Sequence, residues 1–327
     1  MANRRELVKR RKAVRNIRKI TRTMQLIATA RFQAAFNRAM ATKPYTEKLA
    51  ELVADLSRAA GDVDHPLLKT HDEVKRSALL VLTSTRGLAG GYNAHVLRAA
   101  VAHLDEQAAA GIEPQVHVIG KKGIAYFRFL RRPMAEQTPT LGDRPKFEQV
   151  EPFANALIDK FLRGEIASAY VAYMRFLSAG QQRPEVLQLL PLEAGEAGET
   201  AKAGAAGAAD RPGTAATTAA AGQALAAGEA PGGEHGGERR RSIEYEFSPG
   251  PRELLDELLP AIIRARLFQA FNDALVSEQV ARMVAMKAAT DAAGDMIKGL
   301  SRQYNRARQT QITMELLDIV GGANALS

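Results

Sequence analysis

SEQVARMVAMKAATDAAGDMIKGLSRQYNRARQTQITMELLDIVGGA, residues Ser277–Ala323, contains no proline, and its apolar positions recur at helical steps. Ala289, Ala293, Met296, Leu300, Tyr304 and Ala307 form one stripe at spacings of three and four, the period of an α-helix. At ~1.5 Å rise per residue the stretch alone makes a rod about 70 Å long. A compact domain has no internal use for such a rod, so it is expected to protrude. Many stripe residues are small, which lets a second helix approach closely or lets the rod turn inside a tight sleeve. The helical pattern starts earlier, near Arg252, and Pro260 is the one proline between there and Ala323.

The other end of the chain reads the same way. From about Arg4 to Ala60, Val14, Ile17, Thr21, Met24, Ala28, Arg31 and Ala35 alternate at steps of three and four, and Ile20, Ile27 and Ala34 widen the stripe. Pro44 predicts a kink or break, and Gly61 and Pro66 close the segment. Each long helix has an apolar stripe that would otherwise face water, so mutual pairing buries both. The intervening domain brings their ends together, which makes the pair antiparallel.

Between them the pattern changes. Ser77–Thr83 (SALLVLT) has the length of a buried strand and runs into the glycine-rich RGLAGGYN, Arg86–Asn93. Gln115–Gly120, Tyr170–Leu177 and Val186–Leu190 read as further strands, while Ala94–Ala109, Ile124–Leu130 and Pro152–Arg163 read as helices. Such alternation predicts a layered, largely parallel sheet. Glu193–Glu238 is Ala, Gly, Glu, Thr and Pro with Leu225 as its one large apolar residue. It cannot bury enough surface to offset the entropy of ordering, so a flexible insertion is expected, with Ile243–Phe247 (IEYEF) as a returning strand. The expected fold is α/β: a long antiparallel coiled coil of N- and C-terminal helices plus a Rossmann-like layered α/β foot. The boundaries are 1–62 for the first helix, 72–250 for the foot, interrupted at 193–240, and 251–327 for the last helix.

Charge sharpens the reading. Residues 1–22 carry ten Lys or Arg against one acid, Glu6, so this end accounts for the whole net charge of +9 and the remainder balances. The segment has no serine and continues without a break into the helix, which argues against a cleaved transit peptide. No apolar run approaches the roughly 18 residues of a membrane span. Absence of cysteine excludes disulfides, thiolate metal sites and cysteine nucleophiles, and the six histidines show no metal-ligand spacing. No cofactor is expected. The turn Arg86–Gly91 invites a nucleotide reading, but its glycines match neither GxGxxG nor a P-loop, and the lysine is missing. A tight turn packing helix on sheet is the better reading. Glu315 and Asp318, three apart on one helical face, could imitate a carboxylate pair, but nothing nearby in sequence supplies a nucleophile or metal ligand.

Three blocks then resemble the gamma subunit of F-type ATP synthases: IRKITRTMQLIATARF (Ile17–Phe32), TSTRGLAGGYN (Thr83–Asn93), and SEQVARMVAMKAAT (Ser277–Thr290) with YNRARQTQITMELLDIVGGANAL (Tyr304–Leu326). Ile312, Thr313, Glu315, Asp318, Gly322, Ala323 and Ala325 occupy the family's signature positions in order. Departures are Ser84-Thr85 for the usual Ser-Asp, Ala89 for the family cysteine, and Asp291-Ala292 for Asp-Asn. The insertion falls about where photosynthetic gamma subunits carry a redox-switched cysteine pair; this chain has no cysteine for it.

The resemblance implies a non-catalytic rotor, its coiled coil in a ring of alpha and beta subunits and its foot with the epsilon subunit on the membrane c-ring. It further implies a place on the cytoplasmic face of a bacterial plasma membrane. By family position, Arg10, Arg11, Lys19, Arg22, Met24 and Arg31 would lie along the contact with the ring, and Arg308 and Gln309 would hydrogen-bond a beta-subunit loop. Two other classes compete. A basic coiled coil could bind nucleic acid through phosphate neutralisation, but aromatics are sparse and tryptophan absent, and the C-terminal motif argues for no nucleic acid. A dinucleotide-binding enzyme would need a glycine fingerprint that is not there.

Overall fold

The computed structural model describes residues 4–59, 65–69, 71, 73–142, 144–192 and 251–325. Both the expected insertion and the expected strand Ile243–Phe247 lie outside the described residues. The elements run α1 (Arg4–Ala59), a 3-10 turn (Pro66–Leu68), β1 (Arg76–Leu82), α2 (Tyr92–Ala109), β2 (Glu113–Ile119), α3 (Lys121–Phe129), β3 (Glu136–Thr138), α4 (Phe147–Leu162), β4 (Ser168–Phe176), β5 (Gln182–Leu190) and α5 (Pro251–Ala325).

The sheet order is β3-β2-β1-β4-β5. β1 pairs in parallel with β2 and β4, and β2 with β3, while β5 runs antiparallel to β4. Strand β1 alternates between two cores. Ala78, Leu80 and Leu82 face a core with α4, α5 and the end of α1 (Phe161, Leu259, Ile263, Leu49, Val53). Leu79 and Val81 face the other core, with α2 and α3 (Val96, Leu104, Ile124, Phe127). Burial on both faces is why β1 reads as an unbroken apolar run. Strand β3 escapes sequence reading because it is three residues long, polar, and at an edge.

The two long helices pack against each other. Thr21 meets Thr290, Arg18 lies beside Gly294, and Arg11 sits over Tyr304. Numbers that rise on one helix as they fall on the other make the pair antiparallel. Leu7, Thr21, Ala28 and Ala35 are buried, and with half-buried Val14 they fall seven apart, a heptad seam. Alanine at two of these positions lets the backbones come close. Within the seam, the buried hydroxyls of Thr21 and Thr290 are 2.8 Å apart, and their oxygens also lie near the carbonyls of Arg18 (3.2 Å) and Met286 (2.7 Å).

Three expectations fail here. No break occurs at Pro44, which lies inside one continuous helix. The missing N–H removes a single ladder bond, and Ala39, Leu49 and Val53 on either side are buried. Ile20 and Ile27 do not widen the seam but stand exposed, because a two-helix contact is only as wide as a narrow a/d stripe; Ile17, read as a seam position, is exposed as well. Met296 is likewise exposed at 58%, and the half-buried position is its neighbour Ile297.

Shaft joins foot at an aromatic cluster. Phe32 and Phe36 of α1 contact Phe176 at the end of β4, with ring centroids 6.3 and 5.8 Å away, beside Ala35, Ala39 and Val276. Phe176→Ala removes the one ring the foot contributes. Loss of about 3 kcal/mol is expected, at the low end for a large-to-small aromatic change because the ring is only partly buried. Urea unfolding of wild type and variant measures it.

Candidate partner-binding shaft

α1 presents its charges outward. Arg10, Lys19 and Arg22 are exposed. Arg10 pairs one turn back with Glu6, and Arg22 reaches Gln25 at 3.3 Å. Such pairs on a solvated helix contribute little to stability, leaving the charges for another surface. Arg11 differs from its neighbours: it is half-buried, its guanidinium 5.0 Å from the Tyr304 ring centroid, a cation–π contact across the seam. Met24 and Arg31 are also half-buried. The structure therefore divides these residues into an outward face (Arg10, Lys19, Arg22) and half-buried positions (Arg11, Met24, Arg31). Sequence spacing alone does not make that division.

On α5, every residue from Arg308 to Gly321 is exposed, because the described part of α1 no longer covers it. Arg308 and Gln309 stand at the base of this overhang. Thr313 donates to the Gln309 carbonyl at 3.0 Å, and Gln311 donates to Glu315 at 2.8 Å. These local bonds lie within one helix. Gly322 and Ala323 continue the helix. The apolar residues of the overhang face water: Ile312, Met314, Leu316, Leu317, Ile319 and Val320 are each 47–69% exposed. An apolar tip of this size normally marks a protein contact. In the sequence these residues read as a signature; that nothing among the described residues covers them is visible only in the fold.

The glycine turn has another role than phosphate binding. Leu88 and Gly90 take positive φ, 65° and 55°, and a Cβ on Gly90 would lie 3.7 Å from the Ala285 Cβ of α5. In open parallel sheets, ligands enter the crevice at the C-terminal ends of the strands, where the strand order reverses. Here that edge, between β1 and β4, is taken by α5, whose Ser277 hydroxyl donates to the Met174 carbonyl at 3.1 Å. Among the described residues, no group of His, Asp and Glu is arranged to hold a metal ion, and no helix is long and apolar enough to cross a membrane.

Among the described residues, a two-helix shaft of unequal arms stands on a doubly covered sheet and ends in an apolar tip that none of them covers. A family model described as ATP synthase matches residues 3–326. The ATP synthase gamma chain of Rhodopirellula baltica is 40% identical over 326 residues, covering 100% of this chain and 99% of that one. That of Azoarcus sp. is 36% identical over 328 residues, with 100% of both covered. The chain belongs to the ATP synthase gamma family, and it is a structural rotor subunit of that complex, not a catalytic one.

Solved structures share the fold. A chain of the Euglena gracilis mitochondrial ATP synthase, described as OSCP/F1/c-ring, aligns with TM-score 0.59 at 15% identity, covering 99% of this chain and 94% of that one. A central stalk/c-ring chain from Tetrahymena thermophila aligns at TM-score 0.51 and 15% identity, covering 83% of this chain and 99% of that one.

Proposed function

We propose that the shaft turns inside a ring of alternating alpha and beta subunits, with the foot and an epsilon subunit seated on the membrane c-ring. The observation that carries this reading is the α5 overhang, about 20 Å of helix with apolar side chains exposed on it. A tight sleeve of partner subunits is the environment that would dry such a tip. Below it, Arg10, Lys19 and Arg22 present charge to acidic loops of the beta subunits. Charge pairs of this kind act without one fixed geometry, as a moving interface requires. Arg308 and Gln309, at the base of the overhang, are placed to hydrogen-bond a beta-subunit loop. The two gamma chains named above at 40% and 36% identity are bacterial, which supports a peripheral position on the cytoplasmic face of the plasma membrane.

The test is co-purification from gently solubilised membranes of the native host. Tagged full-length chain should bring down alpha and beta subunits together with ATP hydrolysis. Recovery of nucleic acid that high salt removes, without ATPase, would overturn the reading. A chain ending at Thr310 should retain its melting temperature within about 2 °C, since residues 311–321 are exposed and cover none of the described residues. Hydrolysis by the complex it enters should fall at least threefold. An unchanged rate would show that the tip does not bear on the ring.

A further inference from the structure

Where α5 leaves the foot to become the shaft, it carries a buried ion pair. Arg282 and Glu278 are one helical turn apart and 2.7 Å from each other, with side chains 9% and 16% exposed. The guanidinium does not stop at the carboxylate. It also donates to the carbonyls of Arg86 (3.3 Å) and Gly87 (3.4 Å) in the turn that follows β1. The turn is held from the other side by Ser84, which donates to the same Arg86 carbonyl at 2.7 Å and is itself tied to Asn93 at the start of α2. Tyr92, buried beside the pair, has its hydroxyl pKa pushed well above the usual value by burial and by Glu278.

Burying a charge pair costs desolvation that an apolar pair would not, and what it can add is a unique geometry. The other contacts here are small and tolerant of sliding: Gly90 against Ala281 and Ala285. The Arg282 fork resists rotation of α5 relative to the end of β1, because its bonds to the Arg86 and Gly87 carbonyls are directional.

We infer that the Glu278–Arg282 pair, clamped on the Arg86 and Gly87 carbonyls, is the joint through which twist passes between the shaft and the sheet. Arg282 is thus a positioning residue for rotary coupling. This rests on the central-stalk reading, and the experiment separates the two.

In the isolated full-length chain, Arg282→Met should speed amide hydrogen exchange across residues 84–93 at least tenfold, leaving β1 and β4 unchanged. Arg282→Lys, which keeps the charge and one donor direction, should give an intermediate value. In the reconstituted complex, R282M should hydrolyse ATP within twofold of wild type, while ion pumped per ATP falls at least threefold and R282K recovers at least half of that ratio. Unchanged exchange at 84–93, or an unchanged pumping ratio, overturns the joint. Failure of the wild-type chain to bring down alpha and beta subunits overturns the central-stalk reading instead, and the exchange comparison still decides whether the clamp exists. Should R282M not fold, the exchange and pumping of R282K decide alone: wild-type values for both overturn the proposal.

Discussion

Gly120→Ala is expected to cost about 4 kcal/mol and to unfold much of the foot under mild denaturant. Gly120 precedes α3 with φ of 101°, where an L side chain is strained by roughly 1–3 kcal/mol. Space is the larger obstacle. A Cβ there would sit 2.2 Å from the Thr83 carbonyl oxygen and 2.7 Å from its carbon. Both are backbone atoms and cannot swing away, so overpacking adds a further 1–3 kcal/mol or so.

The local arrangement explains the closeness. Thr83 donates its N–H to the Ile119 carbonyl at 2.9 Å, while its hydroxyl donates to the same carbonyl at 2.8 Å and accepts from the Gly123 N–H at 2.9 Å. One side chain thus ties the ends of β1 and β2 to the first turn of α3, and Gly120 leaves room for it. Gly111→Ala is the control. Its φ is also positive, 76°, but nothing lies within 4 Å of the added methyl, so only the strain of about 1 kcal/mol remains. Urea denaturation of both variants gives the comparison, and equal losses would show that strain rather than contact decides at Gly120.

That pair also marks where sequence reading stops. The helices and the four longer strands were legible because apolar period and length carry over to burial: β1 is apolar from Ala78 to Leu82 since both its faces are covered. The antiparallel pairing was legible for the same reason, two stripes with no other partner. The width of the contact was not. A stripe broad enough to include Ile20 and Ile27 describes all the apolar residues on a face, whereas a single partner helix covers only part of it. The remainder points outward, as the overhang does, and both are intelligible once the shaft is placed among other subunits.

Long-range polar contacts were not legible either. Arg282 meets Gly87 across 195 positions, and no local spacing announces a guanidinium aimed at a distant turn. The glycines of RGLAGGYN signalled a tight turn correctly but not its partner, which is α5 itself. Likewise, Arg10 and Arg11 are neighbours with the same charge, yet one is exposed and pairs with Glu6 on its own helix while the other stacks on Tyr304 across the seam. Helical phase separates them, and phase is known only once the seam is known.

Asp273→Asn is expected to raise stability at pH 8 by about 3 kcal/mol and to leave it nearly unchanged at pH 4. Asp273 lies on α5 against the end of the β4–β5 hairpin. Burial pushes its carboxyl from the ordinary 3.8 up to about 7, with Glu185 pushing the same way. Bonds from Gln269 (2.9 Å) and the Phe176 backbone, and the charge of Arg175, oppose the rise. Arg175 cannot fully compensate because it is already paired with Glu185 at 3.2 Å.

The folded state therefore holds this proton more tightly than the unfolded chain. By linkage, stability is greatest below the unfolded pKa near 4 and falls as pH rises towards 7. Above that it is flat, because both states are then ionised. A carboxyl raised from 3.8 to about 7 loses about 4 kcal/mol when it ionises in the folded state, reduced to about 3 by the side chain's residual exposure. Asparagine keeps the acceptor for Gln269 and removes the charge. The difference in unfolding free energy between variant and wild type, followed from pH 4 to pH 8, cancels what the two proteins share and so reports on this residue. It should climb with pH and level off near 7. A difference that stays flat would mean the carboxylate is solvated in the folded state and that the hairpin, not α5, yields to let water reach it.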